Sequence, residues 1–182
     1  MKMIPTAIDG VCVVETTPRM DHRGAFTRFF AAEELTALTS KPILHINHSR
    51  TAAKGAIRGL HFQHAPFVEM KMVRCLKGRV MDDAVDLRSA SPTYLHYHAV
   101  ELSPENAQML VVPEGCAHGF HTLENDCELL YLHTAVYNQT SEGGVRYDDP
   151  AIGIKWVLPV TDISARDTGH QLIDANFSGV VL

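Results

Sequence analysis

Short stretches in which apolar and polar residues alternate follow one another along most of the chain, and this period of two is typical of β-strands. Turn-forming sequences separate them, such as DHRG at residues 21–24 and PEG at residues 113–115. Residues 31–38 predict an early helix, and the C-terminal third can add short ones. Such a series predicts an all-β fold, one antiparallel sandwich or barrel. The predicted strands are residues 11–15, 25–30, 43–49, 57–63, 69–77, 80–87, 97–102, 109–112, 119–123 and 127–136.

The alternation also predicts which side chains share one face of a strand. In residues 127–136, Tyr131 and His133 point to the same side, together with apolar neighbours. In residues 69–77, Lys71 likewise falls on a face that is otherwise apolar. The inner face of a small barrel encloses a ligand cavity, so we expect these ionisable groups to point into it.

The sequence RGLHFQ at residues 58–63 is the densest polar cluster in an apolar setting. In a regular strand Arg58 and His61 point to opposite faces, and Gly59 between them would allow a bulge that redirects one of them. A lone histidine in a strand is also typical of a core residue with satisfied hydrogen bonds. Several polar groups that converge, with His118 after the PEG turn among them, are instead typical of a functional site.

Composition narrows the class of protein further. The 182 residues, 46% of them apolar, suit one domain over residues 1–182 with a substantial core. The net charge of -5 argues against a nucleic-acid-binding or polybasic membrane-binding protein, and no apolar run predicts a transmembrane helix. The N-terminal sequence does not predict a signal peptide, so we expect a cytoplasmic protein. The cysteines, which form no CxxC pair, are expected to be buried and reduced: Cys12, Cys75, Cys116 and Cys127.

Several longer motifs resemble those of the dTDP-4-dehydrorhamnose 3,5-epimerase family. The most specific are RGLHFQ at residues 58–63 and PEGCAHGF at residues 113–120, with VDLRSASPT at residues 85–93 between them. The resemblance runs from about residue 21 to residue 167 in the order of the family, and it implies a cupin-type jelly roll with a few short helices. The further matches are DHRGAF at 21–26, NHSR at 47–50, KMV at 71–73, DDP at 148–150, IKW at 154–156 and SARD at 164–167.

The resemblance implies an epimerase without metal or cofactor, which inverts C3, C5 or both in a nucleotide-linked 4-keto-6-deoxyhexose, foremost a dTDP sugar, in deoxysugar biosynthesis. His61 would be the base that removes the proton beside the ketone, and Asp167 would fix the tautomer of its ring. Lys71 would stabilise the enolate that results. Tyr131 would return a proton to the opposite face of the carbon, as inversion requires.

The same resemblance implies a set of substrate-binding residues, in which arginines hold the diphosphate and sugar region by forked hydrogen bonds. By position these residues are Arg23, Asn47, Arg58, His118, Glu142 and Arg166. The implied partner is a nucleotide sugar, with no nucleic acid and no membrane. A homodimer is also implied, formed by strand exchange at a sheet edge.

The residues considered singly have structural alternatives in the sequence. Asp167 could belong to a helix cap that begins at Ser164. Lys71 could be an edge-strand lysine whose ammonium reaches solvent. Tyr131 could be part of the barrel wall, and Arg23 could belong only to the DHRG turn. The histidines that resemble turn or surface positions receive no role: His22, His64, His96, His98 and His170.

The chain departs from the family pattern at positions near the expected site. Arg28 stands where a glutamate is usual, and His45 and Glu69 each replace a glutamine. Asp83 occupies a position that is usually apolar, and Arg166 replaces a lysine. Because the catalytic residues are retained, these departures bear on the nucleotide, the sugar and the carbon that is inverted.

Two other functions remain open from the sequence. The usual His-x-His pair of a metal-dependent cupin is absent, because Gln63 stands where its second histidine belongs. A cupin that only binds a sugar nucleotide would have no reason to keep the four catalytic residues together. Metal analysis tests the first alternative, and deuterium exchange into a 4-keto sugar nucleotide tests the second. The side chains that a metal-dependent cupin would use are His61, His64, Glu69, His118 and His121.

Overall fold

The structure is a computed structural model and describes residues 1–182. It contains fourteen strands and two helices, α1 (Ala32–Leu35) and α2 (Ala165–Thr168). Neither helix has the length or the apolar composition to cross a membrane. The strands are β1 (Lys2–Pro5), β2 (Cys12–Glu15), β3 (Arg19–Asp21), β4 (Gly24–Phe26), β5 (His45–Thr51), β6 (Ala56–Gln63), β7 (Lys71–Lys77), β8 (Val80–Asp86), β9 (Tyr97–Leu102), β10 (Gln108–Val112), β11 (Cys116–Thr122), β12 (Cys127–His133), β13 (Glu142–Gly144) and β14 (Asp162–Ile163).

Two sheets form the body of the fold. The first sheet has the order β1-β2-β10-β7-β12-β5, and the second has the order β13-β6-β11-β8-β9, with β14 added in parallel beside β6. All other strand pairs are antiparallel. Many neighbours are distant in sequence, since β2 pairs with β10 and β6 pairs with β11. The prediction of a cupin-type jelly roll is confirmed.

Three apolar clusters hold these sheets and their covering segments together. The largest lies between the sheets, where Val73, Leu110 and Leu129 of the first meet Ala84 and Phe120 of the second, each at most 2% exposed. A second cluster packs α1 against the outer face of the first sheet. A third packs the C-terminal segment against the outer face of the second sheet. The inner faces are thus apolar toward one end, which leaves the polar residues to line a cavity.

The strand β6 changes its alternation at Gly59, the position at which the sequence leaves a bulge open. The pairing register with β11 shifts opposite this point. Gly59 has a φ of 141°, a conformation open to glycine, and a Cβ there would lie 2.5 Å from the Cα of Gly119. The irregularity lets Arg58 and His61 line the same cavity although they are three positions apart.

Element ends and short peripheral strands differ from the sequence pattern. β4 ends at Phe26 rather than at residue 30, and β12 ends at His133 rather than at residue 136. The helix predicted over residues 31–38 shortens to the single turn of α1. β1, β3, β13 and β14 are not predicted, because two to four residues carry too few alternating positions for a period of two to be recognised.

A hairpin of β3 and β4 pairs with neither sheet. All of its strand residues are exposed, and Met20 and Phe26 expose 72% and 68% of their surface. In the turn between the strands, Arg23 forms an ion pair with Asp21. The hairpin therefore presents apolar and cationic side chains outside the core of the chain.

Candidate active site

A cavity of about 780 Å³ lies between the two sheets. Its walls come from β5, β7 and β12 of the first sheet and from β6, β11 and β14 of the second, with α2 beside them. This volume is in the range of small-molecule sites. Of the ten residues that the sequence nominates, eight line the cavity: Asn47, Arg58, His61, Lys71, His118, Tyr131, Arg166 and Asp167.

His61 and Asp167 form a hydrogen-bonded pair in the wall of the second sheet. His61 Nε2 lies 2.8 Å from Asp167 Oδ1, and the backbone N–H of Gly59 donates to the other carboxylate oxygen over 3.2 Å. Asp167 is 2% exposed, and its backbone N–H donates to Ser164 Oγ over 3.1 Å. The helix cap that the sequence offers as an alternative is therefore present, and it helps to hold the carboxylate against His61.

Arg166 also contacts this pair. Its Nη2 lies 2.7 Å from His61 Nε2, and its Nε lies 3.2 Å from Asp167 Oδ1. A ring nitrogen that donates to a carboxylate cannot also accept from a guanidinium, so the two contacts compete. The Arg166 side chain is 52% exposed, whereas the Asp167 side chain is buried, so we assign Asp167 as the group that fixes the ring. Nδ1 of His61 makes no hydrogen bond and is not sealed from solvent, which leaves it available to accept a proton.

Opposing effects set the charge of the pair. Burial lowers the pKa of His61, because the imidazolium loses hydration, and the charge of Asp167 restores it only in part. Burial also opposes the ionisation of Asp167, but hydrogen bonds from His61, Gly59 and Arg166 outweigh it and hold its pKa well below the ordinary value. At neutral pH the pair is a neutral imidazole beside a carboxylate, the state that a general base requires.

Lys71 lies on β7, which is a central strand of the first sheet. Its Nζ donates to the backbone carbonyl of His61 over 3.0 Å and lies 3.3 Å from Glu69 Oε1. Lys71 is only 7% exposed, so the alternative of an edge-strand lysine that reaches solvent is wrong. Its buried ammonium gives the cavity a fixed positive charge, which can stabilise an anion that forms nearby.

Tyr131 lines the wall of the first sheet, across the cavity from the second-sheet strand that carries His61. Its hydroxyl lies 3.0 Å from Ser49 Oγ. Burial raises the pKa of Tyr131, and the bond to Ser49 offsets this only in part, so the phenol keeps its proton at neutral pH. A proton acceptor and a proton donor thus occupy opposite walls.

A second histidine–carboxylate pair lies close to His61 and Tyr131. His118 Nε2 is 2.8 Å from Asp82 Oδ1, and both residues are buried. Burial raises the pKa of Asp82, and His118 offsets this in part. The His118 ring packs edge to face against Tyr131, with centroids 6.0 Å apart, and His118 pairs directly with His61 across neighbouring strands. The pair thus fixes an imidazole between the two proton-transfer groups.

Two nominated binding residues do not line the cavity. Glu142 accepts a hydrogen bond from Arg166 Nη1 over 2.8 Å, so it contacts the site through a residue that does line it. Arg23 lies in the exposed hairpin turn, where 78% of its side chain is accessible. Within one chain Arg23 is therefore separate from the cavity.

Five further residues contact the site residues, although no role for them is predicted from the sequence. The period of two indicated that His133 points inward, and Glu69 was noted only as a departure from the family pattern. Ser49 and Asp82 give no local signal, because their partners are distant in sequence. His170, which the sequence suggested as a turn or surface residue, lies edge-on to His61 with ring centroids 6.3 Å apart. The five are Ser49, Glu69, Asp82, His133 and His170.

One set of three side chains could present ligand atoms to a metal ion. It comprises His61, Asp167 and His170, whose ligand atoms lie within 4.8 Å of one another. The guanidinium of Arg166 contacts both His61 and Asp167, so a positive charge already occupies one side of the set and disfavours a cation. The residues of the metal-dependent cupin alternative form no such set. The donor arrangement does not favour that alternative.

A neutral imidazole and a protonated phenol thus face each other across the cavity of a jelly roll, with a buried ammonium beside them. This fold and this site define a class, the cupin-type isomerases that transfer protons at carbon. Within that class, the family model of dTDP-4-dehydrorhamnose 3,5-epimerase matches residues 5–175. The chain belongs to the dTDP-4-dehydrorhamnose 3,5-epimerase family.

Individual relatives agree with this membership. The chain is 40% identical over 177 residues to the dTDP-4-dehydrorhamnose 3,5-epimerase of Salmonella typhimurium, and the aligned region covers 96% of each chain. It is 44% identical over 152 residues to the enzyme of that name from Sinorhizobium fredii, which covers 83% of this chain and 78% of the relative. The structure of dTDP-6-deoxy-D-glucose-3,5-epimerase from Legionella pneumophila in complex with dTDP-4-keto-L-rhamnose superposes with a TM-score of 0.92 at 34% identity, covering 100% of this chain and 98% of that one. The protein is therefore a sugar-nucleotide epimerase of deoxysugar biosynthesis.

Proposed function

We propose that the protein inverts C3 and C5 of a dTDP-linked 4-keto-6-deoxyhexose, with His61 as the base and Tyr131 as the acid. One observation carries this proposal: the imidazole and the phenol line opposite walls of a single cavity. Inversion needs a proton to leave from one face of a carbon and another to arrive on the other face. Relatives named as epimerases of dTDP sugars support the choice of substrate.

The first step is proton removal from the carbon beside the C4 ketone. Such a proton is weakly acidic, so the base must be neutral and held in place at neutral pH. Nδ1 of His61 accepts the proton, while Nε2 stays bonded to Asp167. The carboxylate then faces an imidazolium at 2.8 Å, an interaction that strengthens as the proton is transferred.

Proton removal leaves negative charge on the C4 oxygen. The ammonium of Lys71 is buried in the cavity and already fixed by His61 and Glu69, so it needs little reorganisation to stabilise an enolate. Its attraction is stronger for the enolate than for the neutral ketone. The interaction therefore lowers the barrier rather than only tightening substrate binding.

The second step returns a proton to the opposite face of the carbon. The O–H bond of Tyr131 breaks as the new C–H bond forms, and the enolate electrons return to the carbonyl. The raised pKa of Tyr131 keeps the phenol protonated until the enolate is present. His61 then loses its proton to water, and Tyr131 must regain one before the next inversion.

The nucleotide end of the substrate requires cationic and polar groups beyond the reacting carbon. Arg58 and Arg166 line the cavity and can bind diphosphate oxygens through forked hydrogen bonds. Asn47 lines the same wall as Tyr131. We assign binding roles to all three, to His118 near the sugar and to Glu142 as the partner of Arg166.

A homodimer explains the exposed hairpin and the position of Arg23. The outer edge of β5 is unpaired, and Ile46 and Leu44 beside it are 65% and 50% exposed. A separate two-stranded hairpin is only marginally stable, and an open edge invites pairing. If the hairpin of one copy packs on the β5 edge of another, it covers both surfaces and carries Arg23 toward a cavity that β5 lines.

A cytoplasmic location is proposed from the thiols. Cys12, Cys75, Cys116 and Cys127 are all buried and unpaired, as the sequence predicts. Unpaired buried thiols are typical of proteins in a reducing compartment.

Two variants test the acid–base assignment. His61→Asn removes the base, so both deuterium exchange and inversion should fall by roughly 10²–10⁴-fold. Tyr131→Phe removes only the acid, so inversion should fall by a similar factor while exchange at the carbon stays measurable by NMR in deuterated water. The control is His96→Gln, an exposed histidine outside the cavity. Normal inversion of both carbons by Tyr131→Phe would disprove the role of Tyr131.

A further inference from the structure

One ionisable residue in the cavity, His133, has no part in the steps above. β12 carries it two positions beyond Tyr131, and both side chains line the cavity. The two rings stack with centroids 6.1 Å apart and an interplanar angle of 26°. The His133 side chain is 14% exposed. It therefore lies on the wall of the proton donor, not on the wall of the base.

Glu69 holds the His133 ring in place. The Nδ1 atom of His133 lies 2.8 Å from Glu69 Oε2, and Lys71 Nζ lies 3.3 Å from the other carboxylate oxygen. Burial opposes the ionisation of Glu69, but His133 and Lys71 outweigh this effect and lower its pKa. With Nδ1–H donated to Glu69, the other ring nitrogen, Nε2, is the one that can take up and pass on a further proton. Nε2 of His133 makes no hydrogen bond and is not sealed from solvent.

The titratable neighbours of His133 come from β5, from β7 and from the segment just before β7. Across the first sheet His133 pairs with Lys71 of β7 on one side and with His45 of β5 on the other. Glu69, just before β7, is the one acidic group bonded to it. Glu69 thus binds Lys71 with one carboxylate oxygen and His133 with the other.

Tyr131 needs a proton source after each inversion. Its burial, which raises its pKa, makes the phenolate that remains costly. The hydroxyl has one hydrogen-bond partner, Ser49 Oγ, and a neutral hydroxyl is a much weaker acid than an imidazolium. A nearby imidazolium with a free N–H is the group that can restore the phenol.

We propose that His133, oriented by Glu69, is a positioning and proton-relay residue that returns a proton to Tyr131 after each inversion. The Nε2–H bond of the imidazolium breaks as the phenolic O–H bond re-forms, with the proton passing through solvent in the cavity. The neutral imidazole then takes a proton from water, which balances the proton that His61 releases. This role presupposes the epimerisation proposed above.

The test separates proton removal from inversion. The substrate is a dTDP-4-keto-6-deoxyhexose in deuterated water, and NMR gives both the deuterium at C3 and C5 and the configuration there. In His133→Gln the base still works, but a phenolate that is not reprotonated sends the enolate back toward His61. We expect inversion to slow by about 10–100-fold, with exchange and KM near the wild-type values, so exchange without inversion rises.

Glu69→Gln is the matched second variant, because glutamine is the usual family residue there and should fold. It should shift the ratio of exchange to inversion in the same direction as His133→Gln. The double variant should keep the ratio of exchange to inversion of His133→Gln alone, since both substitutions interrupt one path to Tyr131. Loss of the Glu69–Lys71 ion pair should slow exchange and inversion together. His96→Gln is the control histidine.

The outcomes distinguish this role from the proposed function. If wild-type protein neither exchanges nor inverts, the proposed function itself fails. If wild type inverts while folded His133→Gln and Glu69→Gln keep the wild-type ratio, the relay is overturned. If His133→Gln does not fold, the ratio measured for Glu69→Gln decides alone.

Discussion

At the scale of single residues, the base strength of His61 results from two effects that oppose each other. Burial lowers its pKa from the ordinary value of 6.5, and Asp167 raises it part of the way back. A lowered pKa keeps the imidazole neutral and able to accept a proton at pH 7. Asp167 restores part of the basicity that burial removes from His61, because its carboxylate stabilises the imidazolium that forms when the proton is taken.

This balance predicts the pH dependence of kcat/KM. Activity requires the neutral imidazole, so it should fall as the pH drops through the pKa of His61, with a midpoint below about 6.5. Asp167→Asn removes a charge that raises this pKa, so the midpoint should move to still lower pH. The plateau rate should fall on the order of 10²-fold, because the imidazolium loses its counter-ion. A midpoint that moves upward in Asp167→Asn would contradict the pairing.

The residues of the site differ in how far the sequence reveals them. Lys71 and Tyr131 are predictable because strand alternation and the family resemblance both point to them, whereas His61 is predictable only from the RGLHFQ motif. Asp167 had two readings, and the structure contains both, since Ser164 caps its backbone while its carboxylate binds His61. His170 was not predictable, because it follows α2 in a loop and no periodicity determines where a loop side chain points.

At the scale of elements, β8 carries two adjacent aspartates that point to opposite faces. Asp82 points to the inner face of the sheet, where it binds His118. Asp83 points outward with Val85, toward the cluster beneath the C-terminal segment. It is 1% exposed, and neither carboxylate oxygen has a hydrogen-bond partner. Burial raises the pKa of Asp83 to about 8, so the strand carries an unpaired acid in an apolar layer.

Asp83→Val should therefore stabilise the protein in a pH-dependent way. Asp83 binds its proton more tightly in the folded state, so wild-type stability falls as the pH rises from the unfolded pKa near 3.8 toward about 8. The limiting slope is about 1.4 kcal/mol for each pH unit. Urea denaturation should show a gain for Asp83→Val that is large near pH 8 and small near pH 5. A gain that is independent of pH would indicate that Asp83 is already neutralised by another group.

The strands and helices, like the site residues, differ in how far the sequence predicts them. The strands of five or more residues were predicted because each is an apolar or alternating run bounded by turn sequences. β10 and β11 are buried on nearly every position, so their signal is the apolar run rather than a period of two. Arg58 and His61 both point inward only because β6 is irregular at Gly59. The glycine permits such a bulge, but the sequence does not determine whether it forms. β14 was not predictable, because it has only two residues and its partner β6 is distant in sequence.

At the scale of the whole molecule, the β3–β4 hairpin and the β5 edge leave apolar surface uncovered. Met20, Phe26 and Ile46 are each more than 60% exposed. Exposed apolar side chains and an open sheet edge favour association with a second copy. Within a single chain Arg23 lies outside the cavity, and the proposed homodimer would bring it to the cavity of the second copy.

We expect light scattering to give a mass of twice the 20.1 kDa chain. Ile46→Lys puts a charge on the proposed interface and should shift the protein toward monomer, with a higher KM because Arg23 no longer reaches the cavity. Val157→Lys is the control, since Val157 is 52% exposed on the C-terminal segment. A wild-type monomer with full activity would exclude the dimer and the role of Arg23.

The most direct measurement is NMR of wild-type protein with a dTDP-4-keto-6-deoxyhexose in deuterated water. We predict that deuterium appears at C3 and C5 with inverted configuration, and that His61→Asn abolishes the exchange. Absence of exchange across a panel of 4-keto sugar nucleotides, with folded wild-type protein, would contradict proton transfer by an imidazole and a phenol on opposite walls of the cavity.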